Sequence, residues 1–150
     1  MTHVVVAEAT DADVVDVVAA YEWLFEPPGA PPKDWDRERA ADAVRRALTS
    51  ESAAIFVATV DRHIVGLCTA YEDIESVRFG RRVWVEDLAV HPHYRSQGAG
   101  KLLLDQAKLW ARRRGARRLQ LDSSVGRTNA HRFYEREGPD ARSLSFAWWL

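Results

Sequence analysis

The stretch "HPHYRSQGAGKLLLDQA" (residues 91–107) decides how this chain folds around a ligand, because a glycine turn runs directly into a helix. Gly98 and Gly100 share one turn, with Arg95 before them and Lys101 after them. Glycines at the start of a helix cost backbone entropy, but they let a ligand approach the backbone closely. The first N–H groups of the helix lack partners, and the helix dipole adds partial positive charge there. The turn therefore predicts an anion site suited to a phosphate or pyrophosphate.

Two familiar phosphate-binding motifs do not describe this turn. The nucleotide P-loop would need glycine where Arg95 stands and Ser or Thr where Leu102 stands. The dinucleotide fingerprint would need a third glycine where Leu103 stands. What remains is R-x-x-G-x-G between a strand and a helix, which is a weak motif by itself. An ordinary glycine-containing connection is the alternative.

Apolar periodicity and turn residues on both sides of this motif predict alternating strands and helices. Strands are expected at residues 2–9, 53–60, 64–72, 83–90, 117–123 and 143–150. Helices are expected at residues 12–25, 37–50, from the glycine turn to 114, and at 129–138. In the third helix an apolar face is formed by Leu103, Ala107, Trp110 and Ala111. The order β-α-α-β-β-β-α-β-α-β predicts an α+β or α/β fold, a sheet covered by helices.

Length and composition are those of one soluble domain spanning residues 1–150. The chain is 47% hydrophobic and 29% charged, which leaves room for a core. No apolar run approaches the ~20 residues needed to cross a bilayer, and the first residues do not resemble a signal peptide. The single cysteine, Cys68, excludes a disulfide framework. We therefore expect a cytoplasmic protein with no membrane partner.

Charge is divided unevenly between the two halves of the chain, although the net charge is only −1. Residues 1–77 carry 15 acidic and 6 basic side chains, whereas residues 78–150 carry 7 acidic and 15 basic ones. Such asymmetry indicates two partners of opposite charge, or two halves that neutralise each other in the fold.

The segment "VEDLAVHPHYRSQGAGKLLL" (residues 85–104), followed about 25 residues later by "NAHRFYEREG", resembles the GCN5-related N-acetyltransferase (GNAT) family. The similarity runs from about residue 53 to residue 138. It implies a three-layer α/β-type fold with a mixed, mostly antiparallel central sheet flanked by helices. It also implies an acetyltransferase that uses acetyl-CoA. One departure follows the last helix, where the family usually has "GF" and this chain has "GPDARS".

The resemblance assigns residues to the cofactor. The turn that would hold the pyrophosphate consists of Arg95, Ser96, Gln97, Gly98, Ala99, Gly100 and Lys101. The strand whose backbone would pair with the pantetheine arm contributes Leu88, Ala89 and Val90. Asn129 is expected near the cofactor, and Tyr134 near its sulfur. The resemblance thus implies that the ligand at the glycine turn is the pyrophosphate of coenzyme A.

Acetyl transfer to an amine requires a base, carbonyl stabilisation and a proton for the departing thiolate. Tyr134 is the candidate acid, although it could instead be a packing aromatic beside Phe133. Glu86 is the candidate base, because carboxylates within an apolar strand often have raised pKa values. Strict alternation would group Glu86 with Trp84, Leu88 and Val90, and Asp87 with Val85 and Ala89. The alternative is that these carboxylates form structural ion pairs.

Other candidate chemistries are disfavoured by the sequence. His91 and His93 have no third ligand in view, so no metal site is predicted. Cys68 is expected to be a small buried hydrophobe and not an acyl-carrying nucleophile. The basic run "RRRGARR" contains no interleaved aromatic residue, so no nucleic-acid partner is expected.

The acidic half of the chain predicts a cationic acceptor. The resemblance places the loop after the first helix and the turn before the fourth strand around that acceptor. The carboxylates proposed to bind it are Glu22, Glu26, Asp34, Glu72, Asp73 and Asp87, with Glu75 nearby. We expect a small amine of polyamine or aminosugar type, acetylated in a direct ternary complex. A protein N-terminus or lysine is an alternative acceptor, and an acetyl-CoA-binding regulatory module without turnover is an alternative function. A homodimer is left open.

Overall fold

The computed structural model describes residues 2–150, in which a five-stranded sheet is covered by two helices on each face. The strands are β1 (Val5–Glu8), β2 (Ala53–Val60), β3 (His63–Glu72), β4 (Arg82–Val90) and β5 (Arg118–Leu121). The helices are α1 (Val14–Tyr21), α2 (Arg37–Thr49), α3 (Ala99–Arg113) and α4 (Thr128–Arg136). Within residues 2–150, no helix has both the length and the apolar character needed to span a bilayer.

The strands lie in sequence order, and each pairs antiparallel with the next except β4 and β5, which are parallel. This mixed, mostly antiparallel sheet between helices confirms the predicted fold class. The core on one face is formed with α1 and α2, and the core on the other face with α3 and Phe133 of α4. In α3, Leu103 and Ala107 are fully buried, as the periodicity predicted.

Strand β4 contains a bulge at Glu86. Thr69 pairs with Asp87 and the next β3 residue, Ala70, pairs with Val85, so Glu86 has no partner across the ladder. One extra residue shifts the alternation of everything that follows it. Val85 and Leu88 consequently pack on the same α3 side of the sheet. The expectation that Val85 shares a face with Asp87, and Leu88 with Glu86, was therefore wrong beyond the bulge.

Strands β4 and β5 separate at the same point. Their parallel register begins at Arg82–Arg118 and ends at Val85–Leu121. Beyond it, residues 87–90 of β4 are paired on the β3 side only. The edge of β4 that leads to the glycine turn is thus open.

The predicted last strand, residues 143–150, does not form. The segment has no regular secondary structure, and β5 remains the edge of the sheet. Its alternation is typical of a strand, but a strand requires a neighbour for its backbone groups. No strand within residues 2–150 supplies that neighbour.

Candidate active site

The glycine turn has the backbone conformation that its sequence requires. Gly98 is the N-cap of α3 and has a φ of 93°, in the left-handed region that favours glycine. Ser96 also has a positive φ, of 61°. Gly98 has no side chain that could cap the helix. The N–H groups in the first turn of α3 therefore remain available as hydrogen-bond donors. An anion suits this position.

The side chains around the turn hold its shape. The Arg95 guanidinium donates to the Val90 carbonyl at 3.2 Å, and the Gln97 amide donates to the His93 carbonyl at 3.1 Å. The first bond ties the loop back onto the end of β4, and the second holds the loop together internally. The turn is therefore positioned at the open edge of the strand, where a ligand could continue from one to the other.

Gly100 has a second role that the sequence did not suggest. A Cβ atom built at this position would lie 3.5 Å from Cζ of Phe133, which is an ordinary contact distance. Gly100 therefore allows α4 to pack beside the start of α3. A longer side chain would meet the Phe133 ring or turn towards the first N–H groups.

Two predicted cofactor residues have protein partners of their own. The Lys101 ammonium lies 3.0 Å from the Asp105 carboxylate and 3.3 Å from that of Glu137. These carboxylates raise the pKa of Lys101 and offset its charge. Asn129 is exposed in the first turn of α4, where its side-chain oxygen accepts a hydrogen bond from Arg132.

Tyr134 lies half-buried on α4, next to Phe133. Burial raises its pKa to about 12, with smaller contributions in the same direction from Cys68 and Asp87. The Arg127 guanidinium acts in the opposite direction. The phenol is consequently neutral at ordinary pH and keeps a proton that it can donate.

Cys68 is unsuited to carry an acyl group. Its side chain is fully buried, and burial raises the pKa of its thiol to about 12. Since the thiolate is the nucleophilic form, this cysteine remains unreactive. Its position as a buried hydrophobe agrees with the sequence prediction.

The bulge places the two adjacent carboxylates of β4 in different surroundings. Glu86 is exposed, whereas Asp87 is partly buried on the α1 side. Burial raises the pKa of Asp87, and the neighbouring Glu86 charge acts in the same direction. Beside it, the Tyr21 hydroxyl is hydrogen-bonded to that of Thr69 at 2.7 Å, and burial raises the pKa of this phenol.

A pocket of about 310 Å³ opens beside the bulge. Its walls include three carboxylates, two aromatic rings and one aliphatic side chain, contributed by Asp73, Glu86, Asp122, Tyr71, Trp84 and Val85. Sequence analysis had identified only the first two of these residues. Trp84 and Tyr71 are a cross-strand pair, and Asp122 directly follows β5. These residues come together through the register of neighbouring strands, and no local sequence pattern revealed that register.

Asp73 is the most firmly held of the three carboxylates. It accepts from the Ile74 N–H at 2.8 Å and the Trp84 indole at 3.0 Å, and it forms an ion pair with Arg82 at 3.0 Å. The Ile74 bond is the main cause that lowers its pKa, so the carboxylate is ionised at neutral pH.

Glu72, by contrast, is on the other face of the sheet. Its carboxylate lies between Arg81 at 2.6 Å and Arg114, at the end of α3, at 2.8 Å. Hydrogen bonds from both guanidinium groups lower its pKa. The structure therefore separates Glu72 from Asp73 and holds it in structural ion pairs.

The remaining predicted acceptor residues lie around the loop that follows α1. Glu22 bonds to Arg37 and accepts from the Trp35 indole at 3.1 Å. Asp34 lies 3.7 Å from Arg39, and Glu26 is exposed. The carboxylates predicted to bind the acceptor therefore do not all line a single pocket.

Arg127 is a residue that sequence analysis missed. It precedes α4 and donates to the Leu24 carbonyl at 2.9 Å, joining segments 103 positions apart. Its charge also acts on both Asp87 and Tyr134. The one signal in the sequence was its position directly before the "TNAHRFY" helix.

Comparison with known proteins agrees with this geometry. Residues 17–138 match the family model described as the acetyltransferase (GNAT) family. An uncharacterized N-acetyltransferase of Bacillus subtilis (strain 168), YhdJ, is 35% identical over 99 residues, which cover 66% of this chain and 69% of the relative.

Two solved structures are similar over nearly the whole chain. One, described as a transcriptional regulator from Bacillus halodurans C-125, has a TM-score of 0.83 at 25% identity, covering 99% of this chain and 100% of the other. The second, the aminoglycoside N-acetyltransferase AAC(6')-Iy in complex with CoA, has a TM-score of 0.84 at 18% identity, covering 100% and 96%. At that identity the likeness concerns the fold. The family model and the B. subtilis relative together confirm the resemblance seen in the sequence, and the chain belongs to the GNAT family of acetyltransferases.

Proposed function

We propose that this N-acetyltransferase transfers the acetyl group of acetyl-CoA to a primary amine of a small cationic molecule, of polyamine or aminosugar type. The observation that carries the proposal is the acidic pocket beside the β4 bulge. Three carboxylates and the faces of Tyr71 and Trp84 suit an ammonium group, which is attracted both by negative charge and by aromatic rings. The cytoplasmic location stays a prediction.

The cofactor fits the other side of the bulge. The uncapped start of α3, its left-handed Gly98 and the nearby Arg95 offer donors and positive charge to a pyrophosphate. The open edge of Leu88–Val90 offers backbone groups to an extended arm. When bound, acetyl-CoA supplies the activated acyl group.

Glu86 at the bulge and Tyr134 on α4 divide the proton transfers between them. Glu86, which is exposed to water, removes a proton from the acceptor ammonium directly or through a water molecule. The amine nitrogen then forms a bond to the thioester carbonyl carbon, and the carbon–sulfur bond breaks. As the intermediate collapses, the nitrogen loses its second proton to solvent, which leaves an amide. Tyr134 gives its proton to the departing thiolate and afterwards takes up a proton from solvent. Both assignments are proposals: that of Glu86 rests on its exposed position beside the pocket, and that of Tyr134 on its half-buried position and raised pKa.

The test is thiol release from acetyl-CoA with a panel of amines: a polyamine, an aminosugar, a neutral amino-acid amide and a lysine peptide. We expect the polyamine or aminosugar to give the highest kcat/KM. Rising salt should increase KM for that acceptor and leave kcat nearly unchanged, because screening weakens capture and not chemistry. A preferred acceptor with no charge besides its amine, and a salt-insensitive KM, would refute the cationic acceptor.

A matched pair of variants locates the acceptor site. Asp122→Asn removes one carboxylate from the pocket, whereas Asp42→Asn makes the same change on the exposed surface of α2. We expect the first to raise KM for the cationic acceptor several-fold and the second to leave it unchanged. Equal effects of the two substitutions on KM would show that the acceptor does not bind in this pocket. If acetyl-CoA binds but none of the amines in the panel produces thiol release, the regulatory module without turnover would be favoured.

A further inference from the structure

The loop that follows α1 connects the two sides of the gap between β4 and β5. It begins with one turn of 3-10 helix, Glu22–Phe25. The ring of Trp23 meets that of His91 edge-on, with 5.1 Å between the ring centroids, and His91 directly follows β4. The carbonyl of the next residue, Leu24, accepts the hydrogen bond from Arg127, which directly precedes α4. Two neighbouring residues of the loop thus join the end of β4 to the start of α4, past the point where β4 and β5 separate.

The junction at Arg127 is closely packed. A Cβ atom built at Gly29 would lie 2.7 Å from a guanidinium nitrogen of Arg127 and 2.0 Å from the Leu24 carbonyl oxygen. Since Cβ atoms essentially never approach other atoms so closely, a side chain at position 29 would displace the hydrogen-bonded groups. A Cβ atom at Gly126 would lie 3.8 Å from that of Pro28, which is an ordinary contact. The loop after α1 therefore rests on the segment before α4 at two points.

Arg127 is the attachment at the start of α4, whereas the other attachments hold its middle and its end. Phe133 packs into the core on the α3 side, and an ion pair of 3.3 Å joins Glu137, just after α4, to α3. The Arg127 charge also acts on both sides of the gap. Burial raises the pKa of Asp87 on β4 and of Tyr134 on α4, and the Arg127 charge acts against burial at each of them.

We propose that Arg127 is a positioning residue for acetyl transfer, which holds the start of α4, and with it Tyr134, against the strand that carries Glu86. It acts through the Leu24 carbonyl and needs no contact with the reacting atoms. The inference rests on the proposed roles of Glu86 and Tyr134, because the acid and the base must be aligned on the same reacting groups. A displacement of about 1 Å far from the chemistry can lower a rate roughly 10²-fold.

Arg127→Met removes the guanidinium and keeps an unbranched side chain. We expect kcat for thiol release with spermidine or glucosamine as the amine to fall roughly ten- to hundredfold. KM for the amine and KM for acetyl-CoA should change little, because the acidic pocket and the glycine turn remain intact. Arg127→Lys keeps a cationic donor and should recover part of kcat. Arg136→Met makes the same change at the exposed end of α4 and should leave kcat unchanged.

A second pair of variants disturbs the junction without altering Arg127. Gly29→Ala should reproduce the loss of kcat, because its Cβ displaces the Leu24 carbonyl or the guanidinium, whereas Gly126→Ala should not. A double-mutant cycle then tests whether Tyr134 is the residue being positioned. In the Tyr134→Phe background, Arg127→Met should lower kcat little further, since no acid remains to be aligned. Fully additive losses would overturn the proposal, and so would an unchanged kcat in Arg127→Met.

Hydrogen exchange without acetyl-CoA or amine separates this inference from the proposed function. Amides of Gly29 and of residues 131–134 should exchange roughly tenfold faster or more in Arg127→Met, because a hydrogen bond from a charged group is lost, while β2 and β3 keep their protection. A loss of kcat with unchanged exchange at these amides would contradict the positioning role. If the wild type releases no thiol with any amine, the proposed function fails, and exchange alone decides: unchanged exchange overturns the attachment of α4 by Arg127, and faster exchange supports it.

Discussion

Replacing Tyr134 by phenylalanine tests the acid proposed for acetyl transfer. Burial raises the pKa of Tyr134 from 10.0 to about 12, a shift that corresponds to about 2.7 kcal/mol against the ionised form. At pH 8 the ionised fraction is then about 10⁻⁴, so nearly every molecule holds the proton. Without the hydroxyl, the thiolate would have to leave unprotonated. We expect kcat to fall by roughly 10²–10³, or about 2.7–4 kcal/mol of transition-state stabilisation.

The fold should not be affected by this change. The Tyr134 hydroxyl is hydrogen-bonded to no other residue of the described chain, and phenylalanine fills the same volume beside Phe133. Acetyl-CoA should therefore raise the melting temperature of Tyr134→Phe as much as that of the wild type, by linkage. Tyr94→Phe is the matched control, because it removes a tyrosine hydroxyl near the glycine turn.

The assay is steady-state thiol release with saturating acetyl-CoA, measured between pH 6 and 10. The wild type should show no loss of kcat in this range from ionisation of Tyr134, since its pKa lies above it. Full turnover by Tyr134→Phe, or equal losses in Tyr134→Phe and Tyr94→Phe, would refute the assignment. Tyr134 would then be a packing residue.

Three further substitutions test the turn and the two carboxylates of β4. Gly100→Glu should abolish the acetyl-CoA-induced rise in melting temperature, because it adds a negative side chain at the anion site; Gly100→Ala, whose Cβ meets Phe133 at an ordinary 3.5 Å, should keep the rise. Glu86→Gln should lose most activity near neutral pH and regain part of it at high pH, where the amine deprotonates unaided; a uniform loss would indicate a positioning role. Asp87→Asn should become more stable relative to the wild type as pH rises above 3.8, because the raised folded-state pKa of Asp87 makes its ionisation costly to the fold. Urea unfolding at several pH values measures this difference, and a pH-independent difference would contradict it.

Local chemistry explains why so many elements could be predicted from the sequence. Asp36 caps α2 by accepting from the Glu38 N–H at 3.0 Å, and such a residue before an apolar period is a common start of a helix. Gly98 begins α3 in a conformation that few other residues adopt. Such signals lie within a few residues of the structure they specify. For the same reason the glycine turn was the part of the site most readily identified.

Long-range contacts explain what the sequence did not reveal. The ion pair of Glu72 with Arg114 joins residues 42 positions apart, and the bond from Arg127 to Leu24 joins residues 103 apart. Neither has a characteristic spacing, so Glu72 was grouped with the acceptor carboxylates because it is acidic. The segment 143–150 illustrates the complementary case, because its strand pattern is clear but its partner is not specified by that pattern.

The bulge at Glu86 connects the two halves of the proposed site. Pairing of β4 with β5 ends at Val85, the last residue before the bulge, so one inserted residue coincides with the opening of the strand edge proposed for the cofactor. The same insertion turns Glu86 towards water and Asp87 towards the core. Two adjacent carboxylates would repel each other if both were ionised, but burial favours the neutral form of Asp87. Deleting Glu86 would restore simple alternation in β4, and we expect the deletion to let pairing with β5 continue past Val85 and so close the edge. The proposed site thus depends on a backbone irregularity as well as on the side chains of Glu86 and Tyr134.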